Sequence, residues 1–424
     1  MKSQNALELL NSGGEETEIR VALKELSKKP ELTLEEIKGI AGCLLSDNLA
    51  IKDLATRTIL ELEVQSKELA AKTLSGYIIG DNVELRNLAG EILTNLGDIS
   101  AKYLVGYLKS DDPDLRQFAC DILANLDSRD YLDDIATLLQ DDNENCRVAA
   151  TIAVGNMEAK EYVSVLRSMY SVSEELKPVI IESLGKIGGR EVEEFLIERL
   201  DEEDDIFIVT TAIDALAMAG RDSNICSELL EKIDSIPEPV QPYVLKTIYA
   251  IATRTDVEVI LPGTKRNIAH RAMMDEDEDV RIAGLLALGR SYQVDDIEYL
   301  INEIHYRLDI TEKIILENLV IGSEESVVGL FFDRFMIKCD DEDKFEFISH
   351  LRSIWNVEVA EKSAFVLKKV LGLAFRDDCM ISGDVAILVY HLNEELAKEF
   401  FEAKLNSDEK ARAEEILNSS GLEI

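Results

Sequence analysis

The stretch 141–155, Asp-Asp-Asn-Glu-Asn-Cys-Arg-Val-Ala-Ala-Thr-Ile-Ala-Val-Gly, returns at 277–289 as Asp-Glu-Asp-Val-Arg-Ile-Ala-Gly-Leu-Leu-Ala-Leu-Gly. Both copies carry an acidic turn, an Arg at the mouth of a helix, and then Arg-x-x-small-x-x-Ala-aliphatic-Gly. Such a repeat constrains the fold more than length does. One helical unit cannot bury its apolar face alone and must stack on further copies of itself.

The register extends well beyond these two stretches. Aligned on the residue that opens each first helix, it gives Lys52, Arg86, Arg116, Arg147, Lys177, Val209, Gln241, Arg281 and Lys313, at steps of 30 to 34 residues with one step of 40. Three residues on come Ala55, Ala89, Ala119, Ala150, Ile180, Ala212, Val244, Gly284 and Leu316. Seven residues on come Ile59, Leu93, Leu123, Val154, Leu184, Leu216, Ile248, Leu288 and Val320. Spacings of three and four place these positions on one helical stripe, the one that must be buried. Small residues at the third position let a neighbouring helix come close. A second amphipathic segment lies between copies, as at 99–108, 131–139, 161–166, 192–200 and 297–308. β-branched runs of period two are absent, and the seven prolines sit mainly at turns. The expected fold is all-α.

This pattern resembles the HEAT-repeat family, in its short-unit variant of the PBS-lyase or E-Z type. The matching residues are the Asp-rich turn, the Val/Leu-Arg pair and the Ala-x-x-x-Leu-Gly run, clearest at 112–126, 141–155 and 277–289. Ankyrin units have a similar period, but their Thr-Pro-Leu-His signature is missing, and a single tryptophan, Trp355, cannot supply a tetratricopeptide pattern. The resemblance covers roughly residues 46–320 and implies a right-handed α-solenoid of stacked helix-turn-helix units. We expect an N-terminal helical cap at 1–45, an array of about nine units at 46–323, and a helical C-terminal module or divergent repeats at 324–424. The aromatic-rich stretches 331–336 and 345–348 and a turn at 376–378 belong to that last segment.

Charge narrows the function. With 45 basic against 84 acidic residues, the net charge is −39. A surface that negative repels a phosphate backbone and cannot dock on anionic lipid through a basic patch. No nucleic-acid or membrane partner is therefore expected. The N-terminus shows no signal-peptide pattern, and no apolar run is long enough to span a bilayer. The six cysteines, at 43, 120, 146, 226, 339 and 379, form no Cys-x-x-Cys pair. Together these point to a reducing compartment, the cytoplasm.

Catalytic and cofactor signals are missing. None of the four histidines, at 270, 305, 350 and 391, is followed by Glu, which sets the chain apart from iron-binding HEAT-type hydroxylases. The acidic runs lack the alternating ligands and central Gly of a calcium loop. Phosphate-binding and nucleophile-elbow motifs do not occur. The expectation is no catalytic residue, no metal and no cofactor.

Two sets of residues stand out. Arg86, Arg116, Arg147 and Arg281 follow acidic turns at nearly fixed spacing, so pairing with Asp112, Asp142 and Asp279 of adjacent units would form a structural ladder, as the resemblance also implies. Tyr103, Tyr131, Tyr162, Phe195 and Tyr299 share a place early in the second helix, which lines the concave side of HEAT-like folds. They would serve inter-repeat packing or, rimmed by carboxylates, a partner's helix or basic segment. The basic stretch 261–271 within the long step is a lengthened helix with a solvated polar side or a binding loop. The leading reading is a non-enzymatic scaffold or adaptor for a protein partner, in its sharper form one with a basic face. The alternatives are a phycobilin-lyase-like or small-molecule carrier role and an acidic mimic that occupies a nucleic-acid-binding protein. Oligomeric state is not encoded in any of these features.

Overall fold

A computed structural model describes residues 3–12, 15–376 and 381–424. Asp377, Asp378 and Cys379, part of the expected turn and one of the six thiols, lie outside them. Every regular element among the described residues is an α-helix or a 3-10 turn. The chain divides into two compact units, Met1–Ala219 and Gly220–Ile424.

In the N-terminal unit the first helices are Leu49–Leu60, Val83–Leu96, Pro113–Asn125, Glu144–Asn156, Lys177–Ile187 and Ile206–Ala219. Their starts explain the acidic turns. Asp112 caps Pro113–Asn125 by accepting from Asp114 N at 3.0 Å, and Asn143 caps Glu144–Asn156 by accepting from Asn145 N at 2.9 Å. One residue pair earlier the chain is already folded back, with Asp112 N donating to Ser110 Oγ at 3.2 Å and Asn143 N to Asp141 Oδ1 at 2.9 Å. The stripe expected to be buried is buried: Ala55, Ala89, Ala119, Ala150, Ile59, Leu93, Leu123 and Val154 are all 0% exposed.

Successive first helices touch through small residues. A Cβ on Gly155 would lie 2.8 Å from Ser183 Cα, and one on Gly185 would lie 2.9 Å from Ala215 Cα. The repeated Gly of the motif is therefore a packing residue here. Two of the second elements, unlike the full helices Val64–Ser75 and Arg190–Glu202, are shorter than the amphipathic pattern implies. They are α-turns, Ala101–Leu104 and Leu132–Ala136, each followed by 3-10 helix, Val105–Lys109 and Thr137–Gln140. A 3-10 helix rises about 2.0 Å per residue instead of about 1.5 Å, so it covers the return path with fewer residues. That is how a unit of about 30 residues closes.

The C-terminal unit keeps the capped start at Glu278–Ala287, where Asp277 accepts from Asp279 N at 2.9 Å. Further along, Phe331, Phe332, Phe335 and Phe347 are at most 1% exposed, with ring centroids 5.1 to 5.8 Å apart for the pairs that include Phe347 or join Phe331 to its helix neighbours. They fill the core between Glu325–Lys338 and Asp341–Ser349.

Candidate partner-binding face

The motif arginines first serve their own turns. Arg147 Nη1 donates to the Asp141 and Asp142 carbonyls at 2.9 and 3.1 Å. Arg116 Nη1 does the same to Ser110 and Asp111 at 2.7 and 3.3 Å, and Arg281 Nη1 to Asp275 and Glu276 at 3.2 and 3.0 Å. A guanidinium in the first turn of the helix thus ties down the carbonyls of the turn that precedes it. Arg86 lies 5.8 Å from the Phe118 ring centre and makes no ion pair among the described residues.

Cross-unit ion pairs do occur, but with other acids. Arg116 Nε and Nη2 reach both oxygens of Asp141, at 2.8 and 2.7 Å, one unit on. Lys177 pairs with Glu203 at 3.2 Å, and Lys52 pairs with Glu84. In the other unit Lys246 pairs with Asp277 at 2.7 Å. Of the carboxylates expected from the sequence, Asp112 is a helix cap, and Asp142 meets Arg147 through its carbonyl. Asp279, with a side chain 75% exposed, stands 3.9 Å from Lys246. The acid that pairs lies earlier in the turn than Asp142 or Asp279 because the later positions face the helix start. The Arg116 guanidinium holds the Asp141 carboxyl below its ordinary range, against a smaller upward push from burial.

The five aromatics take three different places. Tyr103, Tyr131 and Tyr162 are half-buried on successive units. Tyr162 Oη donates to Asp133 at 2.6 Å and Tyr103 Oη to Glu68 at 3.3 Å, each acid belonging to the preceding unit. Lys102 pairs with the same Glu68. Burial and then Asp133 raise the Tyr162 hydroxyl to about 12. Phe195 is 5% exposed, edge-on to Tyr170 at 5.3 Å and beneath the Arg199 guanidinium at 4.8 Å, so it is a packing residue. Tyr299, in the other unit, stacks on His270 with centroids 4.2 Å apart.

His270 belongs to a buried network that sequence reading did not foresee. Asp296, 0% exposed, receives Arg266 Nε at 2.7 Å and Gln293 N at 2.6 Å, while His270 Nε2 stands 2.7 Å from Oδ1. Burial pushes its carboxyl up, and Arg266, Gln293 and His270 together outweigh that and hold it down. Lys265 pairs with Asp234, and Arg271 with Glu238 at 3.0 Å. The cations Lys265, Arg266 and Arg271 of the basic stretch 261–271 are thus paired with acids of the protein. A signal was present: Asp296 and Asp234 lie 26 to 31 positions from their cations, about one repeat away.

A cleft of the C-terminal unit has a volume of about 970 Å³. The irregular stretch Asp256–Leu261, the turn Gly289–Ser291 and Asn318 line it, and none of the five aromatics does. Two buried acids nearby in sequence are unlike the rest. Burial raises Glu303 to about 7 although Arg281 Nε lies 3.3 Å away, and burial with repulsion from Glu346 and Asp309 raises Glu312 to about 7.

Residues 101–177 match the family model of HEAT repeats, so that segment carries HEAT repeats. Kap121p aligns over 99% of this chain and 53% of its own length, at 12% identity and a TM-score of 0.51. Importin beta aligns over 98% of this chain and 68% of its own, at 10% identity and a TM-score of 0.50. The chain thus spans about half the length of Kap121p. At these identities the likeness is one of fold, a helical solenoid. The CpcE–CpcF phycocyanin lyase from Nostoc sp. PCC7120 aligns over 54% of this chain at 14% identity, with a TM-score of 0.31 that carries neither the short-unit subtype nor a lyase activity. No curated protein matches the chain in sequence. No helix among the described residues is long and apolar enough to cross a membrane.

Proposed function

We propose that this chain is a non-enzymatic scaffold that holds a protein partner along the second-helix row of its N-terminal unit. The observation that carries the reading is the row Tyr103, Tyr131 and Tyr162. Each ring is half-exposed, and two of the three hydroxyls are tethered to a carboxylate one unit back. A ring already held in place loses little freedom when a partner covers it, and tyrosine offers both apolar area and a polar tip. Glu68 and Asp133 each meet a hydroxyl of the row, and the chain carries a net charge of −39, so a basic helix or segment is the complementary surface. The buried thiols, with no disulfide among the described residues, suit a cytoplasmic setting.

The test is a pull-down from native lysate at low and moderate salt, comparing the full chain with a Tyr103→Ala/Tyr131→Ala/Tyr162→Ala variant of verified thermal midpoint. A stoichiometric protein that survives moderate salt on the full chain and is lost from the variant is the expected result. Equal retention by the variant would remove the row from the interface. A coloured or small-molecule ligand with no protein would replace the scaffold with a carrier.

A further inference from the structure

Three metal-capable side chains from three separate elements converge in the C-terminal unit. His305 follows the helix Ile297–Ile304, Cys339 follows Glu325–Lys338, and Asp343 lies in the first turn of Asp341–Ser349. One donor atom from each lies within 4.8 Å of the other two, and His305 Nδ1 stands 3.6 Å from Asp343 Oδ2. Cys339 and Asp343 are buried, at 5% and 6% exposure, while the imidazole opens to solvent.

Arg307 decides which oxygen of Asp343 is free to act. Held at φ 51 in the left-handed region, it sends Nε and Nη2 to Oδ1, at 2.8 and 2.7 Å. Oδ2 is left turned toward His305. The same guanidinium has Asp340 at 3.9 Å and Glu342 at 3.6 Å, so it stands among three carboxylates, with the buried Lys344 as a second cation near Cys339. An oriented carboxylate beside a buried thiol and an imidazole is the arrangement that outer-sphere partners create around metal ligands.

We propose that His305, Cys339 and Asp343 bind a borderline divalent transition metal of the zinc class, with a fourth position open to water. The donor set, one nitrogen, one sulfur and one oxygen, disfavours calcium and magnesium, which take oxygen ligands. A tetrahedral ion with bonds of about 2.0–2.3 Å sets its ligand atoms roughly 3.3–3.8 Å apart. The His305–Asp343 separation of 3.6 Å already falls there, and the longest separation, at most 4.8 Å, closes by about 1 Å. Rotation of the exposed imidazole supplies part of that movement. Binding exchanges the Cys339 S–H bond for a sulfur–metal bond, and the proton leaves to solvent.

The metal alone is the probe. Full-length protein, treated with chelator and desalted, is titrated with zinc by calorimetry and with cobalt(II) by visible absorption. The expected result is one equivalent per chain, with tetrahedral ligand-field absorption and a sulfur-to-cobalt charge-transfer band. His305→Ala, a change at an exposed ring that leaves folding intact, weakens binding by about a hundredfold or more, beyond the range for outer-sphere changes. Cys339→Ser abolishes the charge-transfer band, and Cys43→Ser, in the other unit, leaves it. Arg307→Ala keeps the band and weakens affinity about 10- to 100-fold, as a positioning residue should. A wild-type protein without the band, a band that survives Cys339→Ser, or affinity unchanged in His305→Ala overturns the assignment.

Discussion

Between Pro113 and Ala219, successive first helices meet through small residues, Gly155 against Ser183 and Gly185 against Ala215. The buried charged side chains described in that N-terminal unit are Glu36 and Glu193. The C-terminal unit buries Arg281, Asp296, Glu303, Glu312, Asp343, Lys344 and His350 instead. One repeat pattern thus supports two kinds of interior. A stack closed by glycine and alanine contacts admits no extra atom at those positions. The C-terminal unit keeps such close approaches too, with Gly284 against Ala272, and adds buried charge that depends on each group keeping its partner.

The sharpest way to break this contrast is Gly155→Val. The added Cβ would meet Ser183 Cβ at 2.6 Å and Cα at 2.8 Å, so backbone must move. A loss of about 3 kcal/mol in urea unfolding is expected. Gly106→Ala, with nothing within 4 Å, should change stability by only a few tenths of a kcal/mol, roughly. Equal effects from the two substitutions would refute the close-packing account.

Next in size is the buried pair of the other unit. Arg281→Met removes the cation facing Glu303, the ring contact with Tyr306 at 3.7 Å and two bonds to turn carbonyls. About 3 kcal/mol should be lost at pH 8, where Glu303 would be left charged, and less at pH 6. The pH dependence follows from the same group. Glu303 and Glu312 rise from an ordinary 4.5 to about 7, so the folded state holds these protons longer than the unfolded chain does. Their contribution is fully present below about pH 4.5 and is lost as pH rises through about 7, on the order of 3 kcal/mol each. Glu303→Gln should flatten that slope, and an unchanged slope in thermal melts across pH 5 to 8 would rule it out as the source.

The Arg116–Asp141 pair of the N-terminal unit has the opposite sign. Its carboxyl is held below the ordinary 3.8, so its stabilisation is present above that value and lost as pH falls through the lowered one. Arg116→Ala should cost about 2 kcal/mol, more than the roughly 1 kcal/mol for Arg147→Ala, which gives up carbonyl bonds alone. Smallest of all, Tyr162→Phe should cost under about 1 kcal/mol, because the half-exposed hydroxyl can trade Asp133 for water. Its larger readout, under the scaffold reading, is a faster off-rate of the bound partner in surface-based kinetics.

The repeat register and the buried stripe were legible because each depends on spacing within a single helix. The aromatic row was legible as a row, although Phe195 proved to be core and Tyr299 half of a stacked pair with His270. Which carboxylate meets which guanidinium was not legible. Asp141 and Asp142 are adjacent in sequence, and only the direction of the turn sends one to Arg116 and leaves the other to accept through its carbonyl. The motif glycine shows the same limit. Gly155 is small because a neighbouring helix touches it, whereas Gly289 sits at φ 71 with open space where a Cβ would stand.

The sequence by itself determined that this chain would be a series of capped helices, with one apolar stripe per unit and a strongly acidic surface. Period, caps and charge are properties of neighbours along the chain. Tertiary structure decided what no local pattern carries: the inward turn of the basic stretch onto Asp296 and the pairing of Tyr162 with Asp133. It also brought together His305, Cys339 and Asp343. Those contacts join residues from different elements, and their geometry exists only once helices have packed and each turn has taken its direction.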